Sequence, residues 1–364
     1  MCALPRLLTW LDGLPTIETV APLLACIQAR GVVDVRIFLP AGKFPRESAV
    51  ARHLSELGLT CVAVSRMRSK LLFQRDLRAG DAFLVMEDPA LDLSTRRLRS
   101  QMIRKSGKPV VFLQHGAFQR GVNAPLRSPN EAPHDFHSDL LLLWHRDKPE
   151  AAVLSAESLR KSQVCGFIKK RFLTLDPDPM LQDWTTRFKH RVMLCQSFRW
   201  RGGRYDQTAI EDWYGMLDAF LAHNPDIGVL LRPHRGKAHR RHRSLDSALM
   251  ARHQNLLVSQ EENGPLRESS IHDCIALCEL VISPESTVVL DALYMDCNVV
   301  IWDTQKLIFA ELPHIDRMSD VIPFVRNPAA SKLACDAVRS RYGDINYNLT
   351  RAAGYIESLI KARG

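Results

Sequence analysis

Apolar positions along this chain fall into two alternating patterns. Short unbroken apolar runs are separated by longer stretches whose apolar residues recur at helical spacing. Residues 32–39 form an early run, closed by Pro40-Ala41-Gly42. Residues 46–57 then place Ala49, Val50, His53, Leu54 and Leu57 along one helical face. β-Rich runs follow at 60–64 and 82–86, the latter ending in Glu87-Asp88-Pro89. An Arg-rich helical stretch covers 94–105. Residues 109–113 read as a buried strand, followed at once by Gln114-His115-Gly116. A run at 139–144 and a helix at 155–161 complete this half. Strands alternating with helices predict a parallel sheet covered on both faces.

The first pattern ends at Gln163-Val164-Cys165-Gly166-Phe167-Ile168, and the turn-rich Asp176-Pro177-Asp178-Pro179 marks a linker. A second α/β pattern then starts. Strands are expected at 191–196, 227–231, 256–259, 280–283 and 298–302, and helices at 209–223, 271–278 and 288–294. The tail at 353–361 has amphipathic helical spacing. The expected organisation is a domain at 1–175, a second at 186–345 and a C-terminal helix at 346–364. Both domains read as open α/β sheets, in which ligands bind outside the carboxyl ends of the strands. Polar residues just after strands are therefore the candidates for chemistry.

Composition narrows the class. With 364 residues, 46% hydrophobic and 24% charged, the chain is a globular protein large enough for two cores. No apolar run reaches the ~18 residues of a membrane span. The N-terminus lacks a basic region followed by an apolar stretch, so a cytoplasmic location is expected. The 9 Cys are scattered and form no Cys-x-x-Cys pair, which argues against structural zinc or a disulfide framework. The formal charge of +9 suits an anionic partner. The six Trp are dispersed and offer no stacking platform, so no nucleic acid partner is expected.

Four strand-tip segments stand out. Ser283-Pro284-Glu285-Ser286-Thr287 lies between a strand and a helix, where hydroxyls and free amides cradle phosphate or simply cap the helix. Arg232-Pro233-His234-Arg235 continues a buried strand; Arg grips phosphate bidentately and His titrates near neutral pH. The basic run beyond, through Arg243, reads as a solvated loop. Gln114-His115-Gly116 sets a His at a strand tip before Gly, which suits a general base in a tight turn or a His satisfied within it. Gln196-Ser197 leads into Arg199, Arg201, Gly202, Gly203 and Arg204, with Asp206 just beyond as a cleft carboxylate or a helix cap. Neither a dinucleotide fingerprint nor a P-loop is present. His134, Asp135, His137 and Asp139 imitate metal ligands but lack a partner cluster, and read as a surface loop.

In this order the motifs resemble bacterial transferases of surface-polysaccharide assembly: CDP-glycerol glycerophosphotransferases and capsule-type Kdo and sialyl transferases. The matching elements, over roughly residues 80–305, are Gln114-His115-Gly116, Gly166 with its basic followers, Arg232-Pro233-His234, and Ser283 through Ala292. The resemblance implies the GT-B fold, two Rossmann-like domains facing a central cleft. It implies that His115 acts as base or acceptor-side residue, flanked by Gln114 and Gly116. It implies donor-phosphate contacts from His234, Ser286 and Thr287. Two departures matter: His234 is followed by Arg235 where the group often has Pro, and Glu285 precedes Ser286 where it often has Ser.

The expected function is a metal-independent glycosyltransferase using a nucleotide-activated sugar, a CMP-sugar first, with a glycan or glycolipid acceptor and peripheral contact with the inner membrane. Gln196, Ser197, Arg232, His234, Arg235, Ser283, Ser286 and Thr287 are the expected donor-binding residues. His115, Glu285 and Asp206 are the expected catalytic ones. No cofactor beyond the donor is expected. The rival enzyme class is a polyol-phosphate transferase using CDP-glycerol. A non-enzymatic basic protein binding nucleic acid or acidic lipid ranks below both.

Overall fold

The computed structural model describes residues 3–42, 49–65, 77–90, 97–119, 121–123, 133–145, 153–172, 178–196, 199–200, 203–204, 207–233, 242–259, 261, 264–267, 269–302 and 308–363. The chain divides into two compact units, Met1–Lys170 with Tyr342–Gly364, and Arg171–Arg341. Among the described residues, no helix is long and apolar enough to cross a membrane.

Among the described residues, the first unit contains seven strands: β1 Arg6–Trp10, β2 Asp34–Pro40, β3 Cys61–Val64, β4 Ala82–Val85, β5 Val110–Leu113, β6 Leu140–Leu143 and β7 Ser162–Val164. They lie in the order β3-β2-β1-β4-β5-β6-β7, and each neighbouring pair is parallel. Helices α1 Leu14–Ala29, α2 Ala49–Glu56, α3 Arg97–Lys105 and α4 Ala156–Arg160 alternate with them. The central strands are apolar on both faces, as a sheet covered on both sides requires; Val110–Leu113 and Leu140–Leu143 are buried throughout. Burying each such Leu or Val contributes roughly 1.5–3 kcal/mol.

A carboxylate that the apolar pattern does not single out, Asp88 after β4, holds the segment that leads into β6. Asp88 is buried and accepts four hydrogen bonds: from the amides of Ala90 (2.9 Å), His137 (2.9 Å) and Ser138 (3.0 Å), and from Ser138 Oγ (2.6 Å). The neighbouring His134 segment is a connector. The His134 amide donates to Val153 O (2.7 Å), and Asp139 accepts from Val110 N (2.9 Å) and Arg363 (2.9 Å).

The second unit contains a hairpin of β9 Arg199–Trp200 and β10 Gly203–Arg204. Its main sheet comprises β8 His190–Gln196, β11 Ile227–Pro233, β12 Leu256–Val258, β13 Leu280–Ser283, β14 Asn298–Trp302 and β15 His314–Ile315. Their order is β12-β11-β8-β13-β14-β15, again parallel, which is the doubly wound order of a Rossmann-like sheet. The helices are α5 Pro179–Arg187, α6 Gln207–His223, α7 Arg243–Arg252, α8 Ile271–Ala276, α9 Thr287–Leu293, α10 Ile322–Arg326 and α11 Lys332–Tyr342. The core joins Trp213, Tyr214, Leu217 and Phe220 of α6 to Val192, Leu194, Val229 and Leu231 of the sheet.

The last helix, α12 Ile345–Arg363, packs against α1 and completes the first unit instead of standing outside both domains. Glu357 receives both the Nε and, at 3.0 Å, an Nη of Arg30. Asn348 is buried and its Nδ2 donates to Phe167 O (2.9 Å) and Tyr342 O (2.8 Å). Gly166 faces this amide with φ +84°, and a Cβ there would collide with the Asn348 side chain. Gly166→Ala is therefore expected to cost about 2–4 kcal/mol, from left-handed strain and overpacking together. Chemical denaturation of the purified variant measures this, and an unchanged midpoint would refute the packing role.

Candidate functional site

The doubly wound order dictates where a ligand fits. In the second unit the chain reverses its direction of travel across the sheet between β8 and β13, leaving a crevice outside their carboxyl ends. Gln196 ends β8 and Ser283 ends β13. Arg232 lies one strand over, opposite Cys195 in the β11–β8 register. Burial pushes the Cys195 thiol up to about 12, with neighbouring Ser283 opposing the shift, so it stays protonated. Arg232, Cys195 and Ser283 thus form a row across three adjacent strands.

Arg232 is only 7% exposed. Its Nη1 donates to Ser269 Oγ (3.0 Å) and to Cys274 Sγ (3.3 Å), and its Nη2 donates to Ser269 O (3.3 Å). All three acceptors are neutral, and among the described residues no carboxylate pairs with this guanidinium. A buried cation held only by neutral partners carries a desolvation cost that an anion would offset. Ser269 and Cys274, which orient it, were not foreseen. The only sequence signal for them was the Ser269-Ser270 pair ahead of α8, where Ser270 caps the helix by accepting from Asp273 N (3.0 Å).

The Ser283–Thr287 segment is a turn between β13 and α9 that brings two serine hydroxyls together. Ser283 Oγ donates to Pro284 O (2.8 Å) and lies 3.1 Å from Ser286 Oγ. Ser286 is the N-cap residue of α9, yet its side chain makes no capping hydrogen bond. Ser286 and Thr287 are half-buried at the helix start. Beneath them, Asp291 pairs with His272 (3.4 Å), whose Nδ1 accepts from Phe172 N (3.2 Å), an interior link the sequence did not reveal.

Glu285 does not fit the catalytic role expected of it. It is 2% exposed, and its carboxylate accepts from Ile308 N (3.0 and 3.1 Å) and Phe309 N (3.0 Å). Carboxylate oxygens engaged by buried amides hold a loop; they are not turned toward a substrate. Of the other expected residues, Ser197, Asp206, His234 and Arg235 lie outside the described residues.

Gln196 is buried and extends a chain of side chains. Its Nε2 donates to Tyr214 Oη (2.8 Å), and Tyr214 donates to Asp246 Oδ1 (2.6 Å). Burial raises the Asp246 carboxyl to about 7; the Tyr214 hydroxyl opposes that shift and the charge of Glu261 adds to it. Burial, with Asp246 adjacent, also raises the Tyr214 phenol, which therefore stays protonated.

In the first unit, Gln114, His115 and Gly116 follow β5 as expected. Gln114 is buried, donates to Gly116 O (2.9 Å) and accepts from Trp144 N (2.8 Å). The His115 amide donates to Gln119 Oε1 (2.9 Å), and the Gln119 amide donates to Asn123 Oδ1 (2.7 Å). The turn is therefore braced by side-chain amides, and Gly116 does not adopt positive φ.

No family model and no curated protein matches this chain by sequence. Many solved structures match in fold, glycosyltransferases among them. The chain is similar to Staphylococcus aureus MnaA, solved with UDP, at TM-score 0.64 and 12% identity over 98% of this chain and 97% of that one. It is similar to a putative UDP-N-acetylglucosamine 2-epimerase from Listeria monocytogenes at TM-score 0.64 and 14% identity, over 99% and 98%. It is also similar to the wall teichoic acid polymerase TagF, solved with CDPG, at TM-score 0.59 and 13% identity, over 98% and 88%. The fold is thus the α/β GT-B class with two Rossmann-like units.

Proposed function

We propose that this protein is a nucleotide-sugar-dependent glycosyltransferase whose second unit binds the donor. The observation that carries this reading is Arg232, a buried guanidinium whose partners among the described residues are all neutral, at the carboxyl end of a doubly wound sheet. Arg232 neutralises the donor phosphate, while Ser283, Ser286 and Thr287 offer hydroxyls beside it. As the bond between sugar carbon and phosphate oxygen breaks, negative charge builds on the departing nucleotide. A fixed cation and preset donors stabilise that charge without reorganising. His115 is assigned the acceptor's proton, as the resemblance implies. UDP in one similar structure and CDPG in another favour a nucleoside diphosphate over the CMP-sugar put first by sequence.

A thermal-shift panel of CMP, CDP, UDP and GDP tests this reading. A ligand at 100 times its Kd stabilises the folded state by about 2.7 kcal/mol, so one diphosphate should raise Tm by several degrees. A flat panel would overturn the donor site. The similarity to TagF favours a second reading, transfer of a polyol phosphate from a CDP-linked donor. Product mass separates the two, because the phosphate is retained in the product of only one.

A further inference from the structure

We propose that Gln196 is a specificity-determining acceptor: the buried relay Gln196–Tyr214–Asp246 locks its amide so that Oε1 meets a hydrogen-bond donor of the bound nucleotide. This rests on the second unit being the nucleotide site.

The argument is one of hydrogen-bond polarity. Gln196 ends the central strand β8, next to Pro233 in the β11 register, at the point where the strand order reverses. A side-chain amide has a donor end and an acceptor end, and alone it is free to flip. Here it is not alone. An ionised carboxylate accepts only, so Asp246 takes the single proton of Tyr214 across 2.6 Å. Tyr214 Oη is then left to accept, and it accepts from Gln196 Nε2 at 2.8 Å. The acceptor end, Oε1, is turned away from Tyr214. All three residues are buried, so water does not relax this order. A nucleotide N–H or hydroxyl satisfies Oε1; a ligand lacking that donor leaves it unsatisfied.

The lock also responds to protons. Among the described residues, the titratable groups that act on Asp246 are Tyr214 on α6 and Glu261 beyond β12. Burial first, and Glu261 next, raise this carboxyl to about 7, so the ionised form that enforces the polarity predominates above about pH 7. Below it, the neutral carboxyl can itself donate, and the direction of the relay is no longer imposed.

The test uses the full chain and calorimetric titration with UDP, CDP and analogues each lacking one donor: the 2′-deoxy and 3′-deoxy forms, N3-methyl-UDP and N4,N4-dimethyl-CDP. For the nucleotide that binds, one analogue should bind the native protein about tenfold or more weakly at pH 8. That penalty should shrink at pH 6. Tyr214→Phe should reduce it to about threefold or less, because the amide regains its freedom to flip. Asp246→Leu should invert it, since Tyr214 would then donate to Gln196 Oε1 and turn the NH2 outward. Asp246→Asn, like the neutral carboxyl, can donate as well as accept, so the penalty should be reduced at both pH values and lose its pH dependence. A purely structural role would weaken all ligands alike and leave these ratios unmoved. An undiminished penalty in folded Tyr214→Phe, or no discrimination by the native protein, overturns the relay alone. Absence of any nucleotide binding overturns the donor-site reading and this inference with it.

Discussion

Replacing Arg232 with methionine is expected to weaken nucleotide binding at least about 100-fold, because a charge-assisted contact to phosphate is lost from a desolvated site. The same substitution is expected to leave Tm unchanged or to raise it. The guanidinium is buried against Ser269 and Cys274 with no described carboxylate partner, so the free protein bears its desolvation cost. Methionine fills similar space without charge. Arg232→Lys should fall between, since a point charge cannot hold Ser269 and a phosphate in one planar fork. Calorimetric titration reads the affinity and a thermal melt reads the stability. A variant that loses stability and keeps its affinity would show that Arg232 is a strut, and would remove the main support for the donor site.

Replacing Glu285 gives the opposite outcome. Glu285→Ala strips the acceptor from the buried amides of Ile308 and Phe309, and should cost about 3 kcal/mol. Glu285→Gln keeps a carbonyl acceptor and should cost less, with turnover largely retained. If Glu285 were the catalytic carboxylate suggested by its place before Ser286, Glu285→Gln would abolish turnover at an unchanged melting temperature. Melting curves and initial rates on the two variants separate these cases.

The alternation of apolar runs and helical stretches identified most strands of both sheets from the sequence. Ser283-Pro284-Glu285-Ser286-Thr287 was rightly placed between a strand and a helix, and Gln114-His115-Gly116 directly after one. The pattern missed β1 and α1, although β1 is an interior strand of the first sheet, between β2 and β4. β1 is only five residues long, and α1 carries Pro22 within it and apolar residues around most of its circumference, which hides the helical period. The bracing of the Gln114–Gly116 turn by Gln114 and Gln119 was not legible, because their partners are set by the folded turn and by Trp144 beyond β6.

The sequence by itself determined that the chain forms two parallel α/β sheets and that its polar residues follow strand ends, because these follow from local apolar period. The tertiary structure alone decided that Gln196, Arg232 and Ser283 come together, since strand order sets which ends are neighbours. It alone revealed that Glu285 is consumed by amides more than twenty residues away in the chain, as the hydrogen bonds from Ile308 and Phe309 show. It alone left Arg232 without a described counterion. Ionic pairing and hydrogen-bond polarity are properties of what surrounds a side chain, and packing assembles those surroundings from distant parts of the chain.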